Sequence, residues 1–281
     1  MSPASLTFLP ALHELLRHFN GLRSRTGGGD ASGQKGLDVE RSGQGTATGG
    51  GEPGRSFEDR ERDAGLDGVP SFEILTRWAR RMGRLFQVSR LGPEFDRAGE
   101  HAIHHSQEGV ERVFKVTHPG QAGLVLRAVA ATDGHNVTHS VAVPQEYLER
   151  MILTNEVWGD ELVFEGLIEG DLPSLVISQP RLEGPHPEPI RINAFLRQQG
   201  FVRKDTLMWY RPADGLAVSD TKPSNFIETP AGDILPIDLP MRFASLPMTQ
   251  AWGEPPPPYS ALQRELHELL KQMEEVVTQN P

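Results

Sequence analysis

The stretch from Ala217 to Pro240, AVSDTKPSNFIETPAGDILPIDLP, is the part of the chain richest in residues that could do chemistry. Asp220 closes an apolar run, Lys222 and Asn225 follow two and five residues later, and a second aspartate, Asp238, closes another apolar run. Transfer of a γ-phosphoryl group asks for such a set. One carboxylate orients an acceptor hydroxyl and takes its proton. An amide oxygen and a second carboxylate hold magnesium against the phosphates, and a lysine neutralises charge as it moves. Hard oxygen ligands suit magnesium, and two adjacent hairpins would fix their separation.

Those hairpins can be read from the turns. Trp209–Arg211 and Leu216–Val218 flank Asp214-Gly215, and residues 226–229 and 234–237 flank Pro230-Ala231-Gly232-Asp233. Upstream, a helix is expected after a cap at Ser71, with Leu75, Trp78 and Met82 on its apolar side. Residues 110–117 and 124–130 read as strands. Residues 144–158 read as a helix opened by Pro144, with Tyr147, Leu148, Met151, Ile152 and Val157 as its stripe. Two short apolar runs, 162–168 and 175–178, precede a proline-rich connector. A helix over 190–199 stops at Gly200, and a last helix is expected over 260–277.

Asp220-Thr221-Lys222-Pro223-Ser224-Asn225 resembles the catalytic loop of the protein-kinase-like superfamily, in its Ser/Thr-type form, and Asp238 resembles that superfamily's second, metal-binding aspartate. The stretch from about 99 to 238 is similar to the small kinase domains of bacterial polyvalent proteins of phages and mobile elements, on EYLERMILTNEVWGDE, ISQPRLEGPHP and GFVRKDTLMWYRPADGL. The resemblance implies an α+β, two-lobed protein-kinase-like fold with a reduced C-lobe, and a magnesium- and ATP-dependent transfer to a hydroxyl. Asp220 is then the base and Lys222 the phosphate-contacting lysine, with Asn225 and Asp238 as magnesium ligands. Lys115 binds the α- and β-phosphates, with Arg127 as a competing cation. Its partner comes from the helix 144–158, Glu149 first and Glu146 or Glu156 behind it. Residues 177–182, with Gln179 and Leu182, form the hinge to adenine. The acceptor class implied is Ser/Thr on protein.

The chain also departs from that pattern. Val218-Ser219 replaces the usual His-Arg, so an anchor for a phosphorylated activation loop is lost. Asp238-Leu239-Pro240 replaces Asp-Phe-Gly, and Pro240 restricts both itself and Leu239. Gly99 and Gly109 bracket the place of the glycine-rich loop. The short segment after Asp238 keeps a small-molecule hydroxyl acceptor open, and the departures keep open a catalytically inactive, nucleotide- or partner-binding module. His101, His104 and His105 are read as lining a polar loop rather than binding metal, and Trp209 and Tyr210 as packing residues.

The whole chain sets the frame. Its 281 residues carry 28 Lys plus Arg against 38 Asp plus Glu, a net charge of −10, which argues against a nucleic-acid partner. It has no cysteine, hence no disulfide or thiolate metal site. No apolar run reaches the ~18 residues of a membrane span, and the opening residues do not read as a signal peptide. A cytoplasmic protein is expected. Residues 1–20 read as a short amphipathic helix and 21–68 as a disordered linker, since 11 of the 29 glycines fall between Gly27 and Gly54. Residues 69–281 are then the folded domain, with an N-lobe over about 69–178 and a C-lobe over about 183–281.

Overall fold

The computed structural model describes residues 72–107, 111–132, 134–256, 259–264 and 266–268. The expected helix and linker of residues 1–68, the Ser71 cap, Gly109 and most of the last helix lie outside them. The described chain is α+β, with antiparallel sheets and few helices.

Helix α1 (Phe72–Arg81) is followed by the hairpin β1 (Leu91–Ala98) and β2 (His101–Ser106), then β3 (Arg112–Thr117). A second hairpin, β4 (Leu124–Ala131) and β5 (Gly134–Val141), precedes α2 (Pro144–Trp158). Strands β6 (Val163–Ile168) and β7 (Ser174–Pro180) complete a five-stranded sheet in the order β1-β2-β3-β7-β6. Every pairing in it is antiparallel. The sequence pattern predicts a loop around Gly99, whereas the chain on either side of it forms the strands of the β1–β2 hairpin. Alternation in the β1–β2 stretch is blurred by histidines and charges, and β2 takes its other pairing partner from β3.

Beyond the proline-rich connector come α3 (Pro189–Gln198), β8 (Val202–Arg203), β9 (Trp209–Arg211) and β10 (Leu216–Val218). The hairpin β11 (Phe226–Glu228) and β12 (Ile234–Pro236), strand β13 (Met241–Phe243) and α4 (Leu246–Ala251) follow. Strand β13 pairs with β10, giving the order β13-β10-β9-β8.

Helix α2 joins the two halves because it is apolar on two sides. Tyr147, Leu148 and Met151 pack with α1 and the five-stranded sheet, while Ile152 and Leu153 pack with Ile192, Trp209, Val218 and Met241 of the second half. Glu146 caps its start by accepting from Val143 N (3.1 Å), and Gly159, at φ 72°, ends it. The β4–β5 hairpin adds a second tie. Its Leu126 is buried with Tyr210, Ala217, Ala244 and Met248, and Arg242 donates to Leu126 O at 2.8 Å.

Candidate functional site

Between the two halves lies a cavity of about 590 Å³. Its walls include Lys115, Gln179, Leu182, Asp220, Lys222, Asn225 and Asp238, seven of the eight residues singled out from sequence. The size is ordinary for a small-molecule site.

The Asp220 end is built from local chain. Asp220 has φ 53°, a left-handed backbone that aspartate tolerates better than most residues. The amide nitrogen of Asn225 donates to both Asp220 O and Asp220 Oδ2 at 2.8 Å. Lys222 Nζ lies 2.9 Å from the same Oδ2. A 3-10 turn over Pro223–Asn225 brings these groups together within six residues. Because both bonds use its nitrogen, Asn225 keeps its amide oxygen for another partner. The loop is pinned beneath: Trp209 Nε1 donates to Thr221 Oγ1 at 3.2 Å, and Ser219 N to Pro240 O at 3.0 Å. Since β10 pairs with β13, the chains carrying the two aspartates run side by side.

The Asp238 end is built from remote chain. Lys115, only 4% exposed on β3, donates to Ile237 O at 2.6 Å and stands 3.7 Å from Asp238 Oδ1. Arg150 of α2 donates to Asp238 Oδ1 at 2.7 Å and to Glu100 Oε2 at 2.6 Å. His101 Nδ1 is 3.7 Å from Asp238 Oδ2, and its Nε2 meets Tyr147 Oη at 2.7 Å. Burial pushes the Asp238 carboxyl up, but Lys115, Arg150 and His101 outweigh it and hold the group well below the usual carboxylate range. Nearby, desolvation pushes Asp160 up to about 7 against the pull of Lys115. Glu100 sits in the β1–β2 turn, where its Oε1 accepts from Leu124 N at 3.1 Å. Gly123, at φ 75°, makes room for it, since a Cβ there would stand 2.6 Å from Glu100 Oε2.

Two of the helix partners expected for Lys115, Glu149 and Glu146, are corrected. Glu149 has Arg242 and Glu146 as its electrostatic neighbours, and desolvation raises its pKa. Glu146 is taken by Arg127 (2.7 Å) and by Arg242 (3.5 Å), which also removes Arg127 as a competing cation. The helix sends the residue after Glu149, Arg150, into the cluster. One residue is a 100° rotation about a helix, so the charge facing Lys115 is reversed. A signal for it was available: Arg150 is a charge inside the stripe of Tyr147, Met151 and Thr154, all buried.

The histidines are corrected too. They lie on strand β2 rather than in a loop: His104 Nδ1 contacts Gly92 O at 3.1 Å and His105 stacks on Phe95 at 4.2 Å. Only His101 reaches the cluster, where ligand atoms of Glu100, His101 and Asp238 lie within 4.8 Å of one another. His139 of β5 was not anticipated. It lines the cavity and its Nε2 meets Ser219 Oγ at 2.8 Å. Trp209 and Tyr210 are buried packing residues.

No described helix is long and apolar enough to cross a membrane. No protein-family model matches the chain, and no curated protein matches it.

Proposed function

We propose that the chain is an ATP- and magnesium-dependent phosphotransferase with a protein-kinase-like fold, its two lobes meeting at the cavity. The observation that carries this reading is the meeting of Asp220, Lys222, Asn225, Asp238 and Lys115 around one cavity, from five positions spread over 124 residues. The strand order β1-β2-β3-β7-β6, with α2 between β3 and β6, supports the same reading.

The residues fit a magnesium nucleotide. Asp238 and the free amide oxygen of Asn225 are hard donors of the kind magnesium takes. Gln179 is buried, lines the cavity, and its side-chain oxygen has no partner among the described residues, so a ligand amino group such as that of adenine would satisfy it. Magnesium–ATP would supply the phosphoryl group and neutralise its oxygens. In this reading Gln179 and Leu182 hold the base, Lys115 the inner phosphates, and Asn225 and Asp238 the ion. Asp220, oriented by Asn225, accepts the proton of the incoming hydroxyl, and Lys222 offsets charge at the transferred group.

The expected acceptor is a Ser or Thr hydroxyl on protein. A second reading, a small hydroxyl compound, is favoured by the chain after Asp238. It enters β13 at Met241 and α4 at Leu246, so the described residues between Asp238 and α4 hold only a strand and short connections. We propose a cytoplasmic setting, which the acidic, cysteine-free composition permits.

The test is transfer of labelled phosphate from ATP with and without magnesium, to Ser/Thr peptides and to a panel of small alcohols. Magnesium-dependent transfer that vanishes in Asp238→Asn is expected. Wild-type rates in that variant would overturn the metal assignment, and tight ATP binding without turnover would favour an inactive binding module.

A further inference from the structure

Arg150 has no part in the reading just given, yet it is a buried cation of the cluster, like Lys115 and His101. It is 6% exposed and is held between two carboxylates, Asp238 on one side and Glu100 on the other. Asp238 has an assigned role and Glu100 has none. Glu100 sits in the β1–β2 turn and lines the cavity, as do Lys115 and Asp238, whereas Arg150 does not. The Glu100 carboxylate thus reaches the large cavity while bonded to a guanidinium that lines only a smaller recess beside Lys115 and Asp238.

A guanidinium takes carboxylate and phosphate with the same planar fork. Buried, it is costly to leave without an anion. The corner thus admits two arrangements: Glu100 in place, or another oxyanion in place with Glu100 swung outward. The second breaks the bond from Leu124 N to the Glu100 side chain, and withdrawal of the turn also breaks the contacts of His118 with Glu100 O (3.3 Å) and Gly99 O (3.0 Å), which the incoming oxyanion must offset.

We propose that Glu100 is an internal stand-in for a phosphate group. Arg150 and Lys115 form an anion subsite beneath it, which the phosphate chain of a nucleotide enters when the β1–β2 turn withdraws. The proposal deepens the nucleotide reading and rests on it for the identity of the natural ligand. It makes the empty protein self-occupied, so that nucleotide phosphate competes with a carboxylate the chain itself carries.

Titration calorimetry on the full chain, without magnesium, tests it with three probes: ATP, adenosine and inorganic triphosphate. Glu100→Gln keeps the side-chain shape and an acceptor for Leu124 N while removing the competing charge. That variant is expected to bind ATP and triphosphate about tenfold tighter, with adenosine unchanged. Arg150→Gln is expected to bind both phosphate probes at least tenfold more weakly, again with adenosine unchanged. If Arg150→Gln does not fold, Glu100→Gln decides alone. Equal or weaker triphosphate binding by Glu100→Gln overturns the proposal. Failure of both variants and wild type to bind ATP and adenosine, with triphosphate still gained by Glu100→Gln, overturns the nucleotide reading and leaves the subsite standing.

Discussion

Asp220 and Asp238 face one cavity but are held by different means. Asp220 is fixed by residues two and five positions along the chain, through a lysine amine and an amide nitrogen. Asp238 is fixed by Lys115, Arg150 and His101, from β3, α2 and β2. The first arrangement is a turn that carries its own partners. The second exists only when three elements have docked, and it concentrates charge in a space that water has largely left. A residue of the turn can therefore be changed with little consequence elsewhere, whereas a residue of the cluster takes stability and function with it.

The sharpest test of that contrast is a pair of variants. Asp220→Asn, whose side chain tolerates the left-handed backbone, is expected to lower phosphotransfer about 10³-fold, within the range a positioned base contributes, and to leave the melting temperature nearly unchanged. Asp238→Ala is expected to abolish transfer and also to cost about 3–5 kcal/mol of stability, because it takes the paired carboxylate from buried Lys115 and leaves Arg150 only Glu100. Chemical denaturation beside the labelled-phosphate assay reads both effects, and equal stability losses would break the comparison.

The acid limb of stability follows from the same cluster. The folded-state pKa of Asp238 lies below its ordinary value. Its contribution is therefore complete above about pH 4 and is lost as the pH falls through the lowered value. Asp160 runs the other way. With its folded-state pKa raised to about 7, the folded protein keeps a proton that the unfolded chain releases. Its cost is absent below the ordinary carboxylate value, grows as the pH rises to about 7, and is constant above. Asp160→Asn should thus raise the melting temperature more at pH 8 than at pH 5, and an equal gain at both would remove Asp160 from the cluster's electrostatics.

The smallest effect belongs to an ion pair outside both regions. Arg77 and Glu73 pair at 3.2 Å on the exposed face of α1. Arg77→Ala is expected to cost no more than about 0.5 kcal/mol, measured by the same denaturation, with transfer unchanged.

The legible parts of the sequence were those whose physics is local. The Asp220–Asn225 loop, the turn of β11–β12 and the span of α2 are written in short spacings, a proline, glycines and a helical period, and the structure has them at or within a residue of the expected bounds. The β1–β2 hairpin was hidden, because β1 pairs only with β2, and β2 takes its other partner from β3. So was the choice of Arg150 over Glu149. Sequence set the helix and its apolar stripe, but which polar neighbour turns toward Lys115 depends on how α2 rolls against α1 and the second half of the molecule. Only packed elements fix that rotation, since a helix alone presents all its faces to water alike. The sequence by itself determined the residues available to meet at the cavity. The tertiary structure decided which charges meet there.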